Sequence, residues 1–344
     1  MSMDGERRQW CMAGALASGL WGAGEAWGAV ARMGAAQPPA MPAGRALASV
    51  AWLGYGPWAL GRAAQGGARW EDRVMATDAA RDEALRSGQV QGASMGAHAA
   101  LALIVAGVPV RVVLLEDISL SADALLARPL AQGGPRSVRD LGGRRVAFEP
   151  GSTSHLLLAH VLGQQGLSLA DVVPLHRTAQ EAAQALRRGE CDAAVTYEPH
   201  LAELRQRLPG LRRLATAAGT PGLISDVLVL RTDFMAAEPD AAAAWLRTWS
   251  LGVQVYRRSP QRARAQIARQ MQVPLAELQA GFEGICFFDL QDNRPGLGGW
   301  FRHRTLPRIL AAGQASGLIG PGVSLDEVLD LGPMRLAWQG QNAG

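Results

Sequence analysis

The chain has 344 residues and a net charge of +4, from 34 basic and 30 acidic side chains. All basic residues are Arg, which excludes enzymes that need a lysine, such as Schiff-base enzymes and P-loop nucleotide-binding proteins. The length leaves room for two domains, and the scattered arginine pairs, with acids between them, argue against a nucleic-acid partner.

The amino terminus has the layout of an export signal. Arg7 and Arg8 precede an uncharged stretch rich in Ala and Gly, and Ala29–Ala31 forms an A-x-A cleavage candidate. We therefore predict a signal peptide over residues 1–31 and a periplasmic location, with a twin-arginine route suggested by the arginine pair. An uncleaved leader is the alternative. No later apolar run reaches the length of a membrane span.

Short apolar runs then alternate with helical patterns, which predicts an α/β protein with mainly parallel sheets. One clear helical pattern covers 179–188 and follows a predicted strand. The predicted strands are 46–52, 92–95, 111–116, 124–128, 145–148, 172–176, 193–197, 213–217 and 227–231.

One segment occurs twice, because residues 84–93 match residues 185–194 at a constant offset of 101. In each copy a predicted helix ends at a glycine, Gly88 or Gly189, and a strand of small residues follows. The repeat predicts two related lobes, with 46–130 plus 223–344 in lobe 1 and 131–222 in lobe 2. Two crossings between lobes would form a hinge, and the cleft between hinged lobes would be a site for a small ligand.

Five ordered blocks carry a family resemblance: WLGYGPW at 52–58, LEDISLSADA at 115–124, DLGGRRVAFEPGSTSH at 140–155, DAAVTYEP at 192–199 and PGLISDVLV at 221–229. Together they resemble the nitrate/sulfonate/taurine-type (NMT1/THI5-like) solute-binding proteins of bacterial ABC importers. The resemblance implies a type II periplasmic binding protein fold, in which two doubly wound lobes are joined by a two-crossing hinge. It also implies a monomer without a cofactor that captures a small solute and delivers it to an inner-membrane permease.

The candidate ligand-binding residues lie at predicted strand ends and in the loops that follow them. A loop at 151–154 precedes a helix and would offer hydroxyls and backbone N–H groups to an oxyanion, although a plain helix cap would look the same. Lobe 1 contributes Gly54, Tyr55, Trp58, Ser94, Met95, Asp117 and Asp123, lobe 2 contributes Ser152, Thr153, Ser154, Thr196, Tyr197 and Glu198, and Asp226 follows the second crossing. Trp58 could instead pack beneath its own helix.

Acidic residues dominate these positions. Asp117, Glu198 and Asp226 fall at strand ends or crossings, and no Arg occurs inside the cleft motifs themselves. If they face the ligand, they favour an amine, a guanidinium or a ring N–H donor and would repel nitrate or a bare sulfonate. Each of them could instead cap a helix or tie the hinge.

The sequence contains no recognisable catalytic constellation, so we predict a binding protein. There is no G-x-S-x-G elbow, and His155 and His160 lie about 140° apart on a helix, unlike a paired metal site. Cys191 and Cys286 are predicted to be separate buried thiols. An enzyme similar to the thiamine-pyrimidine synthases lacks support here, because their Cys-rich run is missing. A sensor that reports the ligand to a membrane partner remains an alternative.

Overall fold

A computed structural model describes residues 44–67 and 70–342, so the predicted signal peptide lies outside the described residues. In the part of the chain that the structure describes, no helix combines the length and the apolar character needed to cross a bilayer.

The described residues form two sheets. The strands are β1 Ala46–Val50, β2 Glu71–Met75, β3 Gly92–Gly96, β4 Val110–Ser119, β5 Asp123–Ala127, β6 Arg145–Phe148, β7 Val173–His176, β8 Ala193–Tyr197, β9 Arg212–Thr216, β10 Ser225–Arg231 and β11 Ile285–Phe287. The first sheet has the order β11-β4-β10-β3-β1-β2, and the second has the order β7-β6-β8-β5-β9.

Helices cover both sheets and connect their parallel strands. They are α1 Gly56–Ala64, α2 Asp78–Arg86, α3 Ala97–Val105, α4 Thr153–Gly163, α5 Ala179–Arg188, α6 His200–Arg207, α7 Thr232–Ala237, α8 Pro239–Arg258, α9 Pro260–Gln270, α10 Leu275–Glu283, α11 Leu290–Pro295, α12 Leu306–Ala315 and α13 Gly332–Asn342. A π-helical segment, Gly296–Thr305, joins α11 to α12.

Each of the nine predicted strands is present within a few residues of its predicted bounds. Two further strands were not predicted. β2 has the sequence EDRVM and is largely exposed at a sheet edge, so it carries no apolar run to mark it. β11 has only three residues, which is too short for a period-two pattern to be recognised.

The internal repeat is confirmed in its local structure. Gly88 and Gly189 both have a φ of +75°, a left-handed conformation that side chains with a Cβ rarely adopt. The first follows α2 and leads into β3, while the second follows α5 and leads into β8. α5 covers the residues that the helical pattern predicted.

The chain passes between the two sheets twice. The first passage lies at 120–122, because β5 pairs with β8 and β9 in the second sheet. The predicted boundary after residue 130 placed β5 in the first lobe. The return passage lies at 217–224. The two passages run side by side, since the Ser119 N–H donates to the Ile224 carbonyl at 3.0 Å and the Ala218 N–H donates to the Leu120 carbonyl at 2.5 Å. We accordingly propose a lobe division at 120–122 instead of at 130.

Close helix packing stabilises the first lobe beside the cleft. α1 lies directly on α8, where a Cβ at Gly252 would stand 1.9 Å from the Pro57 carbonyl oxygen, so only glycine allows this approach. Trp245 and Trp249 of α8 are fully buried and pack with Trp58 and Trp70 in one aromatic cluster. This core holds the loop between β1 and α1 in place.

The two cysteines within the described residues behave differently. Cys191 is a free, buried thiol as predicted, and burial raises its pKa to about 12. Cys286 is disulfide-bonded, so the prediction of a free thiol there is wrong.

Candidate functional site

A cavity lies between the two sheets and receives side chains from both. About 20 Å³ of it is available to the centre of a water-sized molecule, within about 300 Å³ of empty space that includes open solvent. Its lining residues are Val50, Trp52, Tyr55, Asp78, Arg81, Gly96, Asp123, Thr153, Tyr197, Ile224 and Asp226. Of the candidate ligand-binding residues from the sequence, the structure brings Tyr55, Asp123, Thr153, Tyr197 and Asp226 together here, and we call this space the inner cavity.

Aromatic rings form one wall of the inner cavity. Trp52, which precedes α1, meets Tyr197 at the end of β8 edge-to-face, with ring centroids 5.5 Å apart. Tyr55 is buried, and its hydroxyl lies near the carboxyl of Asp226, where it opposes the rise in the pKa of that carboxyl. The wall therefore presents aromatic rings to a bound molecule.

Two carboxyl groups also line the inner cavity. Asp123, at the start of β5, is 2% exposed, and its Oδ1 accepts a 3.4 Å hydrogen bond from the Thr153 hydroxyl. Its Oδ2 is buried and has no partner among the described residues. Burial raises the pKa of Asp123 to about 7. Burial, together with the nearby charge of Asp123, also raises the pKa of Asp226.

Asp117 lies behind the cavity and does not line it. The indole N–H of Trp52 donates to its Oδ2 at 3.4 Å, whereas its Oδ1 is buried without a partner among the described residues. Burial and the charge of Asp226 raise its pKa well above the usual range. Gly54 permits this arrangement, since a Cβ there would lie 2.3 Å from Oδ2 of Asp117.

Arg81 lines the inner cavity but lies outside the sequence motifs from which the cleft was predicted, so the sequence analysis missed it. It projects from α2, is 1% exposed, and pairs with Asp78 and Asp82, the latter at 2.7 Å. Burial alone would lower the pKa of Arg81, but these two carboxylates raise it above its ordinary value. A signal existed, because α2 begins in the capping sequence Thr77-Asp78, but the unpredicted strand before it hid the start of the helix.

Three predicted site residues from the first lobe belong to its core. The indole N–H of Trp58 donates to Oγ of Ser94 at 3.0 Å and to Oε1 of Glu116 at 2.9 Å, so this ring packs beneath its helix. Ser94 also donates to Glu116 and is fully buried. Met95 is fully buried in an apolar cluster behind the first sheet. These side chains do not line the inner cavity.

The serines before and inside α4 act locally. The Ser152 hydroxyl donates to the Glu149 carbonyl at 2.8 Å and accepts from the Ser154 N–H at 3.1 Å, which is a helix cap. Ser154 is fully buried and does not line the inner cavity. Of the three hydroxyls that could have bound an oxyanion, only that of Thr153 reaches the cavity, and it is engaged by Asp123.

Two predicted residues of β8 and its loop also make local contacts. The Thr196 hydroxyl donates to the Ala179 carbonyl at 2.8 Å on the opposite face of the strand from Tyr197. Glu198 accepts from the Ala202 N–H at 3.0 Å and from Arg205 at 2.7 Å. Both carboxylate oxygens are used and the residue does not line the inner cavity, so Glu198 stabilises the start of α6.

A larger cavity adjoins the inner one, and we call it the outer cavity. It encloses about 920 Å³, including open solvent, and shares Val50, Trp52 and Tyr55 with the inner cavity. Its remaining lining comes from β1, α1, β2, the end of α9 and Pro199: Ser49, Ala51, Gly56, Trp58, Ala59, Arg62, Asp72, Val74, Pro199, Ile267, Gln270, Met271 and Gln272. The only ion pair in this lining joins Arg62 and Asp72, at 2.6 Å.

No group of three or more His, Cys, Asp or Glu residues in the described ranges is arranged to hold a metal ion. Catalytic contacts are likewise not seen for the serines that precede His155. The Ser152 hydroxyl bonds the backbone, and Nδ1 of His155 accepts from the Gly151 N–H at 3.2 Å.

Comparison with known proteins identifies the family to which the chain is similar. A family model described as NMT1/THI5 like matches residues 74–263. An Escherichia coli K12 protein named "Putative aliphatic sulfonates-binding protein" is 34% identical over 119 residues, which are 34% of this chain and 36% of that protein. The chain thus spans little more than a third of this relative's length.

Comparison with solved structures bears on the fold. The alkanesulfonate-binding protein SsuA of Xanthomonas axonopodis pv. citri, bound to MOPS, superposes with a TM-score of 0.69 at 20% identity, over 85% of this chain and 99% of that chain. The desulfurization enzyme DSZB superposes with a TM-score of 0.59 at 14% identity, over 86% and 99%. These likenesses confirm the predicted periplasmic binding protein fold, which a binding protein and an enzyme share.

Proposed function

We propose, since this chain belongs to the NMT1/THI5-like family, that it is the extracytoplasmic solute-binding component of an ABC importer. It would capture a small polar solute of the nitrate/sulfonate/taurine type between its lobes. One observation carries the proposal: the inner cavity is lined from both sheets, with Tyr55 and Asp226 on one side and Asp123, Thr153 and Tyr197 on the other. A molecule bound there contacts both lobes and favours their closed arrangement.

The passages between the sheets support a hinge. Within residues 44–67 and 70–342, the connections between the two sheets are 120–122 and 217–224, and they are hydrogen-bonded to each other. Hinge motions are absorbed by a few residues at the ends of regular elements. At the mouth, Gly96 of the first lobe approaches Thr153 of the second, where a Cβ would lie 3.1 Å from its Cγ2. This contact would open when the hinge opens.

The partner and the compartment follow from the same proposal. A protein that closes on a solute outside the cytoplasm needs a permease in the inner membrane to receive it, and a monomer is sufficient for this task. Binding, and not catalysis, is proposed because the cavity places no hydroxyl against a histidine: Ser152 is bonded to backbone, and Thr153 is bonded to Asp123.

A thermal-shift screen of the purified chain tests this function. The panel contains nitrate, alkanesulfonates, taurine, amines and pyrimidines, and a solute present at a hundred times its Kd should stabilise the protein by about 2.7 kcal/mol. Thr153→Trp places an indole in the cavity and should abolish the shift. Gln165→Trp, on the exposed turn that follows the same helix, is the matched control and should retain it. A panel in which no solute raises the midpoint would overturn the proposal.

A further inference from the structure

We propose that the solute is an amine whose ammonium group lies between Asp123 and Asp226 and whose apolar substituent extends into the outer cavity. This inference rests on the proposed function and names the substrate class of the same site. It departs from the sulfonates named for the relatives, and the departure follows from the side chains that line this cavity.

The first argument is the balance of charge. Three carboxyl groups and one guanidinium line the inner cavity. Each of the three nitrogens of the Arg81 guanidinium contacts a carboxylate, since its Nη1 pairs with Asp78 and its Nε and Nη2 donate to Asp82 at 3.0 and 2.7 Å. Asp123 and Asp226 have no ion-pair partner among the described residues. The site therefore has a surplus of acceptors for a cation and no free cation for a sulfonate.

The second argument is an unpartnered acceptor that lines the cavity. Oδ2 of Asp123 is buried without a hydrogen-bond partner in the described ranges, on a residue that is 2% exposed. A buried acceptor left unpaired costs free energy, so a ligand that donates an N–H to it is favoured. A primary ammonium supplies such donors, whereas a quaternary ammonium has none. The choice of a protonated amine follows from this atom.

The aromatic wall fits the same cation. Trp52 and Tyr197 meet edge-to-face, and Tyr55 stands beside Asp226. Ring faces attract cations, most strongly where water is excluded, as in this largely buried space. Two hydroxyls that were expected to bind an oxyanion are engaged elsewhere, because the Ser152 hydroxyl serves a helix cap and the Thr153 hydroxyl is bonded to Asp123.

The outer cavity provides room for a substituent. It begins at Trp52 and Tyr55, which it shares with the inner cavity, and continues between Ile267 and Met271 at one side and Pro199 at the other. Apolar contacts there would tighten the binding of an alkyl or aryl group by about fourfold for each methylene that is buried. A short polar solute would leave this space unused.

Binding of an ammonium should depend on pH, because it favours the ionised carboxyls. Burial raises the pKa of Asp123 to about 7, so a cation bound at about pH 6 must displace a proton from it, and the apparent affinity should rise as the pH increases to about 8. The other charged or titratable groups that act on Asp123 and Asp226 are Asp78, Arg81, Glu198, Tyr55, Glu116 and Asp117.

The test compares ligands that are matched except for their charged group. Calorimetric titration of the full chain uses hexylamine against hexane-1-sulfonate, 2-phenylethylamine against 2-phenylethanesulfonate, and ethylamine and hexyltrimethylammonium as shape controls. We expect the two larger amines to bind at least about tenfold more tightly than their sulfonates. Asp123→Asn and Asp226→Asn should each weaken them about tenfold or more, and Glu283→Gln on the exposed face of α10 should not.

The outcomes separate the two proposals. Tight binding of the sulfonates with no binding of the amines would overturn the amine assignment and leave the solute-binding function intact. Failure of both series and of the wider screen would overturn both. Equal binding of hexylamine and hexyltrimethylammonium would refute the role of Oδ2 of Asp123 as an acceptor. Equal binding of ethylamine and hexylamine would refute the role of the outer cavity.

Discussion

Asp123→Asn should stabilise the ligand-free protein at alkaline pH while it weakens amine binding. Asp123 is 2% exposed, and no cation pairs with it in the described part of the chain. Burial raises its pKa from 3.8 to about 7. The folded protein therefore holds a proton that the unfolded chain releases between about pH 4 and pH 7, so the free energy of unfolding falls as the pH rises through this range.

The structure sets the size of this effect. A pKa raised from 3.8 to about 7 corresponds to at most about 4 kcal/mol of lost stability above pH 7. An amide keeps an oxygen that accepts from Thr153 and carries no charge, but its buried NH₂ group costs about 1–3 kcal/mol if it finds no acceptor. Between pH 5 and pH 8, the stability of the variant relative to the wild type should therefore increase by about 2–3 kcal/mol.

Urea denaturation followed by far-ultraviolet circular dichroism, at pH 5 and at pH 8, measures this change. Glu283→Gln is the matched control, since that carboxyl is exposed on α10, and its difference from the wild type should be the same at both values. If the difference between Asp123→Asn and the wild type were also the same at pH 5 and pH 8, the carboxyl would not be strained by burial, and the reasoning would be refuted.

Three further substitutions test the surroundings of the site. Gly252→Ala should lower the free energy of unfolding by about 2–4 kcal/mol, because its Cβ would stand 1.9 Å from the Pro57 carbonyl; an unchanged melting temperature would contradict the close helix contact. Trp58→Phe removes the 2.9 Å donor to buried Glu116 and should cost about 1–3 kcal/mol in chemical denaturation; an unchanged free energy of unfolding would contradict the role of this hydrogen bond. Glu198→Gln should lower the melting temperature yet change the Kd of hexylamine by less than about twofold; a large loss of affinity would return Glu198 to the binding site.

Much of the fold was predictable because local patterns of residues in the sequence determine the strands and helices. Strands appear as short apolar runs, and nine of them were found in this way, seven of which are largely buried. The left-handed glycines Gly88 and Gly189 marked the ends of α2 and α5 and so revealed the repeat. The exposed edge strand β2 escaped because an edge strand with one solvated face needs no apolar run.

The candidate site was predicted only in part, and neighbouring residues show why. Thr196 and Tyr197 are adjacent at the end of β8, but successive strand residues point to opposite faces, so one bonds the start of α5 and the other lines the cavity. Ser152 and Thr153 likewise diverge, since the first serves the cap of α4 and the second faces Asp123. A sequence shows that a residue follows a strand, but not which face it occupies.

The sequence by itself determined the α/β alternation, the repeat and the resemblance to a family of solute-binding proteins, because these depend on the order of residues along the chain. Tertiary structure alone decided the charge of the site. Arg81 enters the inner cavity already neutralised by Asp78 and Asp82, while Asp123 and Asp226 meet there without a cation of their own. The distances among these groups are created when two lobes fold together, and electrostatic interaction depends on distance and burial, neither of which a linear pattern contains.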